Sequence, residues 1–215
     1  MENIQKKYQN LSNTPSDINE HLPTLYKYAS ECDSVFETGV RGCISSWALA
    51  NGLLHNNTST HQKTLFMNDI TECDIRELLS CTVSLPIITK YEWKNNLDLQ
   101  FTETYDLTFI DTWHVYGQLK RELTKFAPIT NKYIIMHDTT VDEWAGETIR
   151  CGMNAYQQSH SSGFPIEEIN KGLWPAIDEF LVSNTDWTLH ERFRNNNGLT
   201  ILRKRQNPSN SYFIS

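Results

Sequence analysis

Tyr105-Asp-Leu-Thr-Phe-Ile-Asp111-Thr-Trp-His114 and Lys132-Tyr-Ile-Ile-Met-His137-Asp138-Thr are each an apolar, β-branched run that breaks off at an acidic residue. A strand buried on both faces of a parallel sheet reads this way when its carboxyl end opens onto a site. Ligands of open α/β sheets bind at those carboxyl ends. The two tips would each bring a carboxylate and a histidine into one crevice, a set that suits a metal ion or a proton transfer better than a core.

The same alternation extends in both directions. Ser34 to Val40, Lys63 to Asn68 and Ile87 to Trp93 read as earlier strands, and Leu107 to Ile110 and Tyr133 to Met136 as the fourth and fifth. Between them Ser45 to Leu54, Asp74 to Val83 and Gln118 to Phe126 carry helical spacing, with Trp47, Leu49 and Leu53 as core candidates. Strands alternating with helices predict βαβ units, hence a parallel sheet. An amphipathic helix is expected from Ser16 to Ala29, preceded by a polar arm or short helix over residues 1 to 15. After Asp138, residues 139–170 loosen into glycines, serines and a proline, the composition of a long functional loop beside an acceptor. A helix from Trp174 to Val182 follows, then Trp187 to Phe193 and Leu199 to Arg203 around Asn195-Asn-Asn-Gly198, which predicts a hairpin.

At 215 residues the chain predicts one domain with an N-terminal arm and helix over 1–30, large enough to bury roughly 70% of its unfolded surface. Hydrophobic residues make up 39% of it, which excludes overall disorder. The absence of a long apolar run and of an apolar leader predicts a soluble, cytoplasmic protein with no membrane partner. Five scattered cysteines without a Cys-x-x-Cys pair predict reduced thiols. A net charge of -7 argues against nucleic acid as partner.

Phe36-Glu37-Thr38-Gly39-Val40-Arg41-Gly42-Cys43-Ile44-Ser45 lies where the first strand hands over to the first helix. Glycines admit a ligand close to the backbone, and a helix N-terminus supplies free N–H groups. Gly39 and Gly42 match neither a dinucleotide fingerprint nor a phosphate loop, and a purely structural turn remains open. Glu37 would repel a phosphate but suits a cationic or hydroxyl-rich ligand. Asp69, at the end of the second strand, can accept the hydroxyls of a ribose or cap a helix. Trp93 and Asn95 can hold an adenine, or Trp93 can simply pack.

The order Glu37-x-Gly39, Asp69, Phe109-Ile-Asp111-x-x-His114 and Ile135-Met-His137-Asp138 resembles class I S-adenosylmethionine-dependent methyltransferases, nearest to the cation-dependent sugar and small-molecule O-methyltransferases. The resemblance spans residues 34–205. It implies a Rossmann-like three-layer α/β sandwich whose mainly parallel seven-stranded sheet ends in an antiparallel hairpin. By the same resemblance Glu37, Thr38, Gly39, Gly42, Ser45, Asp69, Trp93, Asn95, Asp111 and Trp113 surround S-adenosyl-L-methionine.

Methyl transfer to an alcohol needs an acceptor oxygen stripped of its proton. A divalent cation lowers the pKa of that oxygen, and a nearby base takes the proton. Asp111 and Asp138 are hard oxygen ligands of the kind Mg²⁺ or Mn²⁺ prefers, and His137 can complete the set. In the metal-dependent relatives a metal-binding aspartate is followed three positions later by the base, which puts the base at His114. His137 departs from the second acid that relatives often carry. Asp138 as a cap and His137 as a core histidine stay open.

The expected reaction is O-methylation of a sugar or glycan hydroxyl. The sugar preference rests on histidine, rather than lysine, at the base position. A catechol-like O-methyltransferase and a non-catalytic nucleoside-binding module are the alternatives. Trp144, Tyr156, His160 and Phe164 can close over an acceptor or pack the loop down, and aromatic residues of the N-terminal arm offer a surface for a homodimer.

Overall fold

A computed structural model describes residues 1–57 and 60–205; the last ten positions of the expected single domain lie outside the described residues. Seven strands form one sheet: β1 (Ser34–Thr38), β2 (Lys63–Asp69), β3 (Ile87–Trp93), β4 (Tyr105–Ile110), β5 (Thr130–His137), β6 (Trp187–Phe193) and β7 (Leu199–Lys204). Their spatial order is β3-β2-β1-β4-β5-β7-β6, parallel from β3 to β5, with β7 antiparallel to both β5 and β6. The strand order reverses between β1 and β4, which is where such sheets open a crevice.

Helices α1 (Glu2–Asn13), α2 (Leu22–Ala29), α3 (Ile44–His55) and α4 (Arg76–Thr82) precede α5 (Tyr116–Phe126), α6 (Glu147–Arg150), α7 (Ala155–Ser162), α8 (Ile166–Asn170) and α9 (Trp174–Ser183). One face of the sheet (Val35, Leu65, Leu107, Phe109, Ile135) packs on α1 to α3, and the other (Phe36, Ile110, Ile134, Met136) on α5 and α9. Side chains alternate along each strand, so a strand buried on both faces is apolar throughout. Helix α3 is buried from Ser45 to Leu54, because α1 and α2 cover the side that the sheet does not. Gly52 permits this: a β-carbon there would lie 2.5 Å from the backbone oxygen of Tyr26 on α2.

Several boundaries differ from the sequence reading, three of them for identifiable reasons. Strand β1 stops at Thr38 because Gly39 turns to φ +91. Helix α2 starts at Leu22, since Pro23 has no N–H to give and so sits in a first turn; a single 3₁₀ turn fills 19–21. Residues 139–170 are not one loop but carry α6, α7 and α8. Asn154 caps α7 by accepting from the Gln157 N–H, and Gly163 ends it at φ +74. This helix buries none of its residues, so no apolar stripe marked it. Of the two readings of residues 1 to 15, an arm or a short helix, the helix is found: α1 covers Glu2–Asn13 and buries Ile4. Among the described residues no helix is long and apolar enough to cross a membrane.

Candidate active site

Parallel pairing sets Ile110 of β4 beside Met136 of β5, so the residues that follow, Asp111 and then His137 with Asp138, emerge from neighbouring tips. Asp138 takes a left-handed conformation, φ +57, and is buried. His114 meets both acids: its Nε2 lies 3.3 Å from Asp111 Oδ1 and 3.0 Å from Asp138 Oδ2. One ligand atom each from Asp111, His114 and Asp138 fall within 4.8 Å of one another. His137 sits beneath them, with Nδ1 3.1 Å from Asp138 Oδ2 and 3.6 Å from Asp111 Oδ1.

The histidine tautomer matters here. His137 Nε2 faces the backbone oxygen of Asn196 at 3.2 Å, an acceptor only, so that nitrogen carries a proton. Nδ1 is buried and has no hydrogen-bond partner of acceptable geometry, although two carboxylate oxygens lie near it. A ligating histidine shows this arrangement, one nitrogen anchored to a carbonyl and the other turned to oxygen ligands. Asp111, Asp138 and the His114 imidazole are the donor set with atoms close enough to share one divalent cation, and His137 Nδ1 faces the same two carboxylates from behind.

Charge demand points the same way. Burial on its own would lower the pKa of His114, but hydrogen bonds that its ring donates to Asp111, Asp142 and Glu147 outweigh it and push the value up to about 12. Burial likewise opposes, and the Asp111 and Asp138 carboxylates overcome, a rise of His137 to about 10. Burial would raise Asp111, yet its two histidine partners hold it well below the usual carboxylate range.

A cleft of about 380 Å³ opens beside this cluster, lined by Gly39, Gly42, Ser45, Asp111, His114 and Asp138 together with Asp17, Arg41, Glu147 and Arg150. Glu37 lies just under it, fully buried: Oε1 accepts from Ser45 Oγ at 2.5 Å, and Oε2 has no partner. Desolvation raises its pKa to about 7, against the lowering effect of the Ser45 and Ser46 hydroxyls. An orphaned buried acceptor beside a glycine turn fits a cofactor that carries an ammonium or hydroxyl donor.

The other expected cofactor residues divide. Asp69 folds back on the glycine turn, where Oδ2 accepts from the Val40 and Arg41 N–H groups at 2.9 Å each and Oδ1 from Thr71. Thr38 belongs to a buried network: its hydroxyl donates to Asn68 and accepts from Asn96, which also donates to Glu122. Trp93 and Asn95 do not reach the cleft wall; Trp93 is 61% exposed, with Nε1 donating to the Ile70 carbonyl, and Asn95 caps the next turn. Trp113 stacks on Phe164 at 5.8 Å beside a separate void of about 10 Å³. Trp144 and Tyr156 are solvent-exposed.

Sequence reasoning missed Asp142, Glu147 and Arg150, which reach His114 and the cleft from the segment after β5. Asp142 follows Asp138 by four residues, a weak local signal. Nothing in the pattern marks Glu147 or Arg150. Glu122, fully buried on α5, was also missed; it looks like an ordinary polar helix position until Asn96, Thr112 and Gln118 are seen to donate to it.

No protein-family model matches the sequence, and no curated protein does. Solved structures do match in fold. An O-methyltransferase from Bacillus cereus, crystallised with S-adenosylhomocysteine, aligns over 95% of this chain and 90% of its own at 15% identity and a TM-score of 0.60. The O-methyltransferase TomG from Streptomyces achromogenes, in complex with S-adenosylmethionine, aligns over 96% and 91% at 13% identity and 0.57. The N-methyltransferase NodS from Bradyrhizobium japonicum aligns over 88% and 97% at 13% identity and 0.54. The chain thus has the Rossmann-like fold of class I S-adenosylmethionine-dependent methyltransferases, a fold that these structures put to both O- and N-methylation.

Proposed function

We propose that the protein is an S-adenosylmethionine-dependent O-methyltransferase acting on a hydroxyl of a sugar or glycan, assisted by a divalent cation. One observation carries the reading: Asp111, Asp138 and His114 converge at the tips of β4 and β5 and form one wall of the cleft that the glycine turn borders, with His137 buried behind them. Fold likeness alone would leave the reaction open.

Asp111, Asp138 and His137 Nδ1 would hold the cation, and the Gly39 to Ser45 turn with Glu37 would hold the methionine end of the cofactor. When bound, a divalent cation lowers the pKa of a hydroxyl presented to it and neutralises the carboxylates. His114 then no longer has to stay protonated for their sake, and Nε2 can take the hydroxyl proton as the methyl group passes from sulfonium to oxygen. The polar cleft lining, with Asp17, Arg41, Glu147, Arg150 and Asn197, suits a hydroxyl-rich acceptor. Residues 139–170 would form part of the acceptor side.

The test is release of S-adenosylhomocysteine from S-adenosylmethionine with Mg²⁺ or Mn²⁺ across a panel of glycosides and vicinal phenols. Turnover on glycosides, abolished by chelation, supports the reading. Turnover confined to phenols moves the assignment to a catechol-like enzyme, and cofactor binding with no turnover favours a binding module.

A further inference from the structure

The sheet has two edges, and they differ. At β6 the ladder with β7 shifts register between Leu189 and Glu191, an irregularity of the kind that keeps an edge from being extended. At β3 all of Ile87–Trp93 pairs with β2 in unbroken register. Lys94 N donates to the Asp69 carbonyl, and the Glu92 carbonyl accepts from Asn68 Nδ2, so the even-numbered residues turn their peptide groups toward β2. The peptide groups of Thr89, Tyr91 and Trp93 turn outward, and among the described residues no hydrogen-bond partner reaches them. The same edge exposes apolar surface: Ile70 and Trp93 are 67% and 61% exposed and touch through the Trp93 Nε1 bond to the Ile70 carbonyl, and Ile88 is 43% exposed.

Charge selects what can pair there. Lys90, Glu92 and Lys94 are exposed and alternate in sign along one face of the edge. Their contacts within the chain are loose, Lys90 to Glu103 at 3.7 Å and Lys94 to Glu92 at 3.8 Å. Lysines on an edge strand ordinarily discourage pairing with other chains. Here an acid alternates with them, so the charges discriminate among registers instead of forbidding all of them. We propose that β3 is the interface for a second copy of this chain, the two β3 strands pairing antiparallel about a two-fold axis at Tyr91, so that one sheet runs through both protomers. In that register Tyr91 meets the partner's Tyr91 and Thr89 the partner's Trp93, each pair exchanging the outward peptide bonds, and Lys90 lies opposite the partner's Glu92. Slipping the strands by two residues sets Lys90 against the partner's Lys90 in one direction and Glu92 against the partner's Glu92 in the other. Opposite charges directly across an antiparallel pair stabilise it and like charges destabilise it. A two-fold axis makes the patch self-complementary, which is what one strand carrying both signs provides.

The test is sedimentation of the full-length chain over a range of concentrations at low salt, beside Lys90→Glu, Glu92→Lys and the variant carrying both changes. The unaltered protein sediments as a dimer. Each single reversal puts like charges opposite one another twice in the symmetric pair and raises the dissociation constant by roughly 10-fold or more. The double variant restores opposite signs and returns to the dimer. Thr89→Pro, which removes an outward N–H at a place where an edge strand tolerates proline, gives monomer. Circular dichroism on each sample confirms that the exposed substitutions leave the fold intact. A single-chain mass for the unaltered protein at every concentration overturns the proposal. So does a dimer that the single reversals leave unchanged, which is then built on another surface such as the N-terminal arm, or a double variant no better than either single one.

Discussion

A β-carbon built on Gly39 would lie 1.7 Å from the backbone oxygen of Asp111. The tips of β1 and β4 are in backbone contact at this point, where Asp111 N donates to the Thr38 carbonyl, while Gly39 N donates to the Asn68 carbonyl of β2. Any side chain at position 39 must part the strands that bring the glycine turn to Asp111, and φ +91 is strained for it as well. Gly39→Ala is therefore expected to lower stability by about 2 to 4 kcal/mol. Gly42→Ala meets only the Ile44 side chain, at 3.8 Å, and should stay close to the parent. Urea midpoints of the two variants check this, and equal midpoints would contradict it.

Glu37 predicts a pH dependence. Its pKa in the folded protein is raised by burial to about 7 from the ordinary carboxyl value of 4.5, so between the two the folded state holds a proton that the unfolded state has lost. Stability must then fall as pH rises through that window and level off above it. The histidines add their own slope above about 6.5, where unfolded imidazoles lose their protons. Comparison with Glu37→Gln isolates the carboxyl: the difference in melting temperature between the two proteins should change steadily from pH 4.5 to 7. A constant difference would count against the buried protonated acid.

Cation binding should release protons. Asp111 and Asp138 raise the pKa of His137, and Asp111 raises that of His114 together with Asp142 and Glu147, so an ion on Asp111 and Asp138 would remove the demand on His137 and part of that on His114. Calorimetric titration of Mn²⁺ at pH 7.5 in two buffers of different ionisation enthalpy reads the release directly. Asp138→Asn should abolish binding, and identical heats in both buffers would argue against displacement.

Asp69 holds the glycine turn through two backbone N–H groups. Hydrogen bonds to a charged group contribute about 1.5 to 3 kcal/mol, so Asp69→Ala should weaken S-adenosylhomocysteine binding by roughly 10- to 100-fold. Trp93, exposed and turned to the Ile70 carbonyl, should tolerate alanine with less than about a threefold change, below 1 kcal/mol. A large loss at Trp93 would mean that the indole moves onto the ligand.

The sheet was legible because β4 and β5 are apolar along their whole length and end in acids, so that burial on both faces and an open tip can both be read from the residues alone. The hairpin was legible for a different reason: Asn196, Asn197 and Gly198 all have positive φ, which the Asn-Asn-Gly composition allows. Helices α6 to α8 were not, since they span only four, eight and five residues and carry no sustained apolar stripe. Within the site, Asp111, His114 and Asp138 stood out by their place at strand ends. Asp142 and Glu147 could not, because what marks them is a contact with His114 across the fold, and the backbone carbonyl that fixes His137 belongs to Asn196 on a distant turn.

The most direct measurement is anomalous diffraction from crystals grown with Mn²⁺ and S-adenosylhomocysteine. The account predicts a manganese peak between Asp111 and Asp138 within bonding distance of His137 Nδ1, and the nucleoside in the cleft beside Gly39. A manganese peak elsewhere with none at the strand tips, or a nucleoside bound away from the glycine turn, would contradict it.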